Sequence, residues 1–341
     1  MNSDLQKIRK SLKHLSTEWT PSLWLDTGVP DLNQVLGHRD RGIPYGRIIE
    51  ISGRNSEGKT AISMSLAAAA QQDGAAIIWE DLETSFDSEW AIMRGLAACP
   101  RCKGTGHIQI VCGSSKTALG CVACGGNPKK TIVEKLQEGR GSGMDENKLT
   151  VIQPYVGTFG EEKESRLTSA QELCAETEAL MGAMHKKFDR MVVVLDSVAS
   201  LLTETEASAG LENAGLPSNM ALPVFMGKLL RRWVGLAQAY NAMIIMVNQL
   251  RQNPMARFSD PWYCPGGNAL PFYSHVRARV YRAKGGRMRD HGKVCGIQGI
   301  LQNTKNKTGG LEWSKVAYKI WFNGPVEFLP AADLVKSEEG E

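Results

Sequence analysis

Between the apolar run Arg47-Ile48-Ile49-Glu50-Ile51-Ser52 and an alanine-rich run from Thr60 to Gln72 stands Gly53-Arg54-Asn55-Ser56-Glu57-Gly58-Lys59-Thr60. The first run predicts a buried strand and the second a helix, so the octapeptide is a strand-to-helix turn. In that setting the loop amides and the helix N-terminus can cradle phosphates, Lys59 can reach the β and γ phosphates, and the Thr60 hydroxyl can ligate Mg²⁺. The same unit constrains the fold. Further strands are predicted at Ala75 to Trp79, Leu149 to Gln153, Met191 to Leu195 and Ala242 to Val247, with helical patterns at Ser169 to Lys187 and Met220 to Tyr240. Such alternation implies an α/β core with a mostly parallel central sheet covered on both faces.

A bound triphosphate needs a second site to hold its metal. Met191-Val192-Val193-Val194-Leu195-Asp196-Ser197 is a buried apolar strand ending in a carboxylate, which makes Asp196 the second magnesium ligand beside Thr60. Hydrolysis also requires a group that orients or deprotonates water, and the end of the second strand offers Glu80, Asp81 and Glu83. Spacing does not choose among the three.

Five of the eight cysteines fall between Cys99 and Cys124. Cys99-Pro100-Arg101-Cys102 and Cys121-Val122-Ala123-Cys124 are two CxxC knuckles eighteen residues apart, the spacing of a four-thiolate zinc ribbon. Cys112 and His107 are spare candidates. From Cys99 to Lys130 there are Arg101, Lys103, Lys116, Lys129 and Lys130 but no Asp or Glu. The block is therefore expected to be a basic zinc module facing DNA or a partner protein. At 341 residues, 42% hydrophobic and net charge +4, the chain has room for one large core and is mildly basic. Neither a membrane-length apolar run nor a signal-peptide core is present, which places it in the cytoplasm without a membrane. Ser3 to Leu15 reads as a short amphipathic helix. The expected organisation is an N-terminal oligomerisation helix and linker at 1–24, an ATPase core at 25–98 and 147–330, the zinc ribbon at 99–146, and an acidic tail at 331–341.

Six segments in order resemble the RecA family: Gly53 to Thr60; Trp79-Glu80-Asp81-Leu82-Glu83 with Asp87; Val194 to Leu201; Val247-Asn248-Gln249-Leu250-Arg251; Gly266-Gly267-Asn268-Ala269-Leu270; and Lys305-Asn306-Lys307. The resemblance implies a RecA-like P-loop NTPase core and an ATP- and Mg²⁺-dependent, DNA-dependent ATPase. Such a protein assembles as a helical filament on single-stranded DNA, then pairs and exchanges strands with double-stranded DNA, with mediator or single-strand-binding proteins as further partners. It makes Glu83 the catalytic carboxylate, Asp87 and Trp90 the adenine contacts, and Gln249 the γ-phosphate sensor. Lys305 and Lys307 become the cations that reach a neighbouring subunit's nucleotide.

Two DNA loops follow from the same resemblance, at Glu204 to Asn219 and Arg251 to Gly267. The second mixes Arg251, Arg257, Phe258 and Trp262, cations for phosphate with aromatics for bases, and ends in Gly266, Gly267 and Asn268. Arg232 matches a family DNA contact. The first loop departs from the family, since it has no Arg or Lys and Glu204, Glu206 and Glu212 are acidic. The internal zinc block and the short acidic tail also depart from the common bacterial form, so a divergent member is expected, phage-encoded ones included. A branch-migration motor of the RadA type, a hexameric helicase and a non-catalytic ATP- and DNA-binding mediator are the competing readings. Lys305-Asn306-Lys307-Thr308-Gly309 differs from the Lys-Asn-Arg-Phe-Gly of RadA, and the retained Glu83 argues against a mediator.

Overall fold

The computed structural model describes residues 20–87, 90, 91, 94, 107–112, 115–120, 149–154, 156–159, 164–208, 221–252, 262–322 and 324–336. The expected helix at Ser3 to Leu15 and the cysteines Cys99, Cys102, Cys121 and Cys124 lie outside these residues, as do Arg257 and Phe258.

A nine-stranded sheet organises the molecule. Its strands are β1 (Ile48–Gly53), β2 (Ala76–Asp81), β3 (Leu149–Ile152), β4 (Met191–Asp196), β5 (Ala242–Gln249), β6 (Val276–Asp290), β7 (Lys293–Asn306), β8 (Lys315–Trp321) and β9 (Val326–Pro330). The spatial order is β9-β8-β7-β6-β1-β5-β4-β2-β3. All pairings from β6 through β1, β5, β4 and β2 to β3 are parallel, whereas β6, β7, β8 and β9 form an antiparallel meander. The fold is a mixed α/β RecA-like core with a mostly parallel sheet, as the alternation of strands and helices predicts. The meander is the addition. Its signal was present in Val276, Ala278 and Val280, buried at alternate positions, but the arginines between them hid it.

Every residue of β1, β2 and β4 is buried. The cause is cover on both faces: Ile49, Ile51, Ile77, Trp79, Val192 and Val194 pack in one apolar cluster with helix α1 (Lys59–Gln72). Their neighbours Ile48, Ile78, Met191, Val193 and Leu195 pack in a second, with helices α2 (Ala170–Met184) and α3 (Ala221–Tyr240). In a strand successive side chains take opposite faces, so a sheet covered twice must be apolar throughout.

The start of α2 is fixed by a capping box. Ser169 Oγ accepts from the Glu172 N–H at 3.3 Å, and Glu172 Oε2 accepts from the Ser169 N–H at 2.9 Å. Replacing Ser169 by Ala is expected to cost about 1 kcal/mol, read as a lower urea midpoint with an unchanged slope.

The expected acidic tail starts later than 331. Ala331–Lys336 is a helix, and Leu334 is buried at 2% exposure, so apolar packing rather than charge decides this segment. Lys305 and Asn306 close strand β7, because pairing with Arg277 and Val276 continues the ladder to that point. The first expected DNA loop opens with a short helix, Glu204–Ser208, while the second is framed by a two-residue ladder, Arg251–Gln252 against Trp262–Tyr263. Between the two cysteine pairs, His107–Cys112 and Ser115–Gly120 form an antiparallel hairpin. Among the described residues no helix is long and apolar enough to cross a membrane.

Candidate nucleotide site

Parallel strands deliver their carboxyl ends to one edge of the sheet, and that edge is where the expected site residues meet. Gly53 pairs with Gln249, and Asp196 pairs with both Val247 and Asp81, so the phosphate loop, Asp196 and Gln249 leave the sheet side by side. They line a cavity of about 650 Å³ together with Asn55, Ser56, Gly58, Lys59, Thr60, Glu83 and Trp90.

The phosphate loop is held by its own residues. The Arg54 N–H donates to Glu57 Oε2 at 2.7 Å, and Tyr318 Oη donates to the Glu57 carbonyl at 2.8 Å. Gly58 has φ +93°, a left-handed backbone that favours glycine. Lys59, buried, donates from Nζ to the Arg54 carbonyl at 2.7 Å. Burial pushes its pKa down, against the pull of Asp196, Glu57 and Glu83. The ammonium thus rests on a neutral carbonyl that a phosphate oxygen, carrying charge, can displace.

Asp196 is pushed up to about 6, first by burial and then by the charges of Glu83 and Asp81, while a hydrogen bond from Thr60 and the charge of Lys59 oppose the shift. The Asp196 carboxylate and the Thr60 hydroxyl bonded to it are oxygen ligands of the kind a hard cation such as Mg²⁺ takes.

Geometry separates the three acids that spacing left open. Glu80 is buried in the core, where Thr177 Oγ1 donates to it at 2.5 Å. The Asp81 carboxylate is taken up by the N–H groups of Ser85 and Phe86 and by Gln153 Nε2. Glu83 alone of the three lines the cavity, and its Oε1 accepts from Ser197 Oγ at 2.6 Å and from Gln249 Nε2 at 2.8 Å. Ser197 was not foreseen, although it directly follows Asp196.

The apolar end of the cavity is made by Trp90, Val294, Ile297, Ile320 and Phe322. Trp90, expected as an adenine contact, is one of these lining residues. Asp87 does not line the cavity, because its carboxylate accepts from the Trp90 N–H at 2.8 Å and so caps the next helical turn. Phe322, Arg282 and Arg287 also line the cavity and were missed. All three come from the antiparallel meander, outside the six segments that carry the family resemblance.

The remaining expected residues lie elsewhere. Lys305 Nζ donates to the carbonyls of Pro271 and Phe272 at 2.6 and 3.2 Å, at the end of the short helix Ala269–Tyr273, and the Lys307 N–H donates to the His275 carbonyl. Neither lysine lines this chain's own cavity. Arg232 forms a two-pronged ion pair with Glu178 at 3.1 and 2.5 Å on the outer surface of α3. Trp262 is stacked under the Arg54 guanidinium, 4.0 Å from the ring centre, and Arg251 is exposed one ladder position away. Gly266 and Gly267 turn with φ +95° and +70° ahead of Asn268, and a Cβ on Gly267 would meet Pro223 at 2.9 Å. Packing on Pro223 therefore requires Gly267 whether or not a ligand approaches. Behind this turn Asn248 Nδ2 donates to the Pro265 carbonyl and to Glu50, and Glu50 is paired with Arg277 at 2.5 Å. Among the described residues no group of three or more His, Cys, Asp or Glu side chains is arranged to hold a metal ion.

The sequence profile of the RecA N-terminal domain matches residues 10–98 and 132–326. The RecA proteins of two Clostridium botulinum strains, Eklund 17B and Alaska E43, are each 29% identical to the chain over 285 residues, 83% of its length. The match spans 59% of each relative.

Proposed function

The chain belongs to the RecA family, and from that premise we propose that it is a DNA-dependent ATPase that forms filaments on single-stranded DNA and exchanges homologous strands. The observation that carries this reading is the hydrogen bond from Gln249 Nε2 to Glu83 Oε1. It ties Gln249, two residues before the expected second DNA loop at Arg251 to Gly267, to the carboxylate best placed to act on water, so the state of the nucleotide and the state of that loop share one contact. Gln249 has two alternatives, Glu83 or a γ-phosphate oxygen, and moving between them would release or fix the loop's base. The Arg54 stack on Trp262 supports the same coupling from the phosphate-loop side.

In this reading Lys59 leaves the Arg54 carbonyl for the β and γ phosphates, and Glu83 accepts a proton from the attacking water. Thr60 and Asp196 hold Mg²⁺, which would neutralise charge on the phosphate oxygens. Trp90 and Phe322 are the aromatic walls for the base. Lys305 and Lys307 serve the nucleotide of a neighbouring copy, in keeping with their not lining this chain's own cavity. Arg251, Arg257, Phe258, Trp262, Gly266, Gly267 and Asn268 form the path for single-stranded DNA, and Arg232 joins it when Glu178 releases it.

ATP hydrolysis measured with and without single-stranded DNA, beside electron microscopy with a non-hydrolysable analogue, tests the proposal. Hydrolysis stimulated by DNA and open helical filaments are expected. Closed rings would favour the motor or helicase, and DNA-independent hydrolysis without filaments would reject the recombinase.

Zinc on Cys99, Cys102, Cys121 and Cys124 belongs to the same proposal, supported by the two knuckles and the hairpin between them. Cys102→Ser is expected to lose the bound zinc in elemental analysis. Undiminished zinc would remove Cys102 from the set, and intact DNA binding without zinc would restrict the module to another partner.

A further inference from the structure

We infer that Arg282 and Arg287 of β6 are phosphate-binding residues of the same nucleotide site, supplied by the chain that carries the phosphate loop. The inference rests on the nucleoside-triphosphate reading above and adds two cations to it.

Both arginines line the cavity beside Asn55, Ser56, Gly58 and Lys59. They are five residues apart, and in a regular strand an odd separation sends side chains to opposite faces. Here β6 is bulged. Arg282 stands opposite Gly299 and Arg287 opposite Ile297, so five residues on one strand face two on the other. Gly299 and Ile297 share a face, hence so do the two arginines. A bulge that re-aims a side chain beside a site is a recurring device, and here it replaces the residue two beyond Arg282, Lys284, by Arg287.

The Arg282 guanidinium donates through Nη2 to the carbonyl of Ser56, the residue at the crest of the phosphate loop with φ +58°. Its Nε is buried and has no hydrogen-bond partner among the described residues. One donor therefore anchors the loop and another has no partner, in a side chain that lines the cavity beside the phosphate-loop residues. Lys59, with its pKa lowered by burial, is the only cation that the octapeptide motif assigns to three phosphates. A planar guanidinium presents paired donors that match phosphate oxygens, which a lysine cannot do. Arg287, exposed at the rim next to Val294 and Ile297, is placed to close over the phosphate chain from the hairpin side.

The test uses the full chain, with ATP, ADP and adenosine as probes in equilibrium binding and DNA binding measured separately in the absence of nucleotide. Arg287→Gln and Arg282→Gln are each expected to weaken ATP binding about tenfold or more, the size of one lost charge-assisted contact. Adenosine affinity and the melting temperature of the free protein should stay near those of the parent. Arg→Lys at either position should recover only part of the loss, because charge returns without the fork. Unchanged ATP affinity in both glutamine variants overturns the inference. Weakened DNA binding with ATP affinity intact also overturns it, and assigns the arginines to nucleic acid instead. If Arg282→Gln unfolds, Arg287→Gln at the exposed rim still decides. A parent protein that binds no ATP would sink the nucleotide reading itself, a result distinct from a parent that binds ATP and variants that bind it equally well.

Discussion

Glu83→Gln is expected to lower ATP turnover by about 10²–10⁴-fold, the range a positioned general base contributes. The affinity for ATP should hardly change. The carboxamide oxygen can still accept from Ser197 or Gln249, as the Glu83 Oε1 does at 2.6 and 2.8 Å, so the loop geometry has a route to survive the substitution. It cannot take a proton from water. Single-turnover hydrolysis beside equilibrium binding separates the two effects. Asp81→Asn is the control, since the Asp81 carboxylate is already engaged by Ser85, Phe86 and Gln153 and does not line the cavity. Near-parental turnover in Glu83→Gln would strip that residue of the role.

A second large effect comes from a carboxyl group that takes no part in the chemistry. Glu80 has no exposed surface, one oxygen bonded to Thr177 and the other, Oε2, without a partner among the described residues. Burial pushes its pKa from 4.5 up to about 7, with a further rise from the charge of Glu176 and a partial offset from the Thr177 bond. The folded state therefore keeps a proton that the unfolded chain gives up near pH 4.5. The stabilisation is fully present below that pH and is lost as pH rises through about 7. The loss by pH 8 is about 3 kcal/mol, from 1.36 kcal/mol per pKa unit. Glu80→Gln keeps the acceptor for Thr177 and has no proton to lose. Its unfolding free energy should match the parent near pH 5 and exceed it by up to about 3 kcal/mol at pH 8. Because every other titrating group is shared, the difference between the two urea titrations isolates Glu80. Parallel curves across that range would show that the carboxyl ionises at its ordinary value.

The phosphate loop, the Asp196 strand and Gln249 were legible because each is a local pattern: an apolar run, a turn and one polar residue at its end. Local patterns survive without knowledge of what packs on them. Choosing Glu83 among three neighbouring acids was not possible from residue types and spacing alone, because Glu80, Asp81 and Glu83 differ by which side of the sheet edge they meet. The resemblance to the family chose Glu83, and of the three it is the one that lines the cavity. Asp87 shows the converse. The position that the resemblance made an adenine contact carries a carboxylate that the backbone of Trp90 has claimed.

By itself, then, the sequence determined the parallel core and the chemistry at its carboxyl edge, since both follow from contiguous residues whose periodicity states their environment. The antiparallel half of the sheet, and with it Phe322, Arg282 and Arg287, was decided only by tertiary structure. Arg282 and Arg287 are an odd number of residues apart, and a regular strand would have parted them. The bulge in β6, set by how Gly299 and Ile297 pair across it, brings both to the cavity, with Arg282 bonded to the Ser56 carbonyl. A register shift is a property of two strands together, and neither strand's residues state it alone.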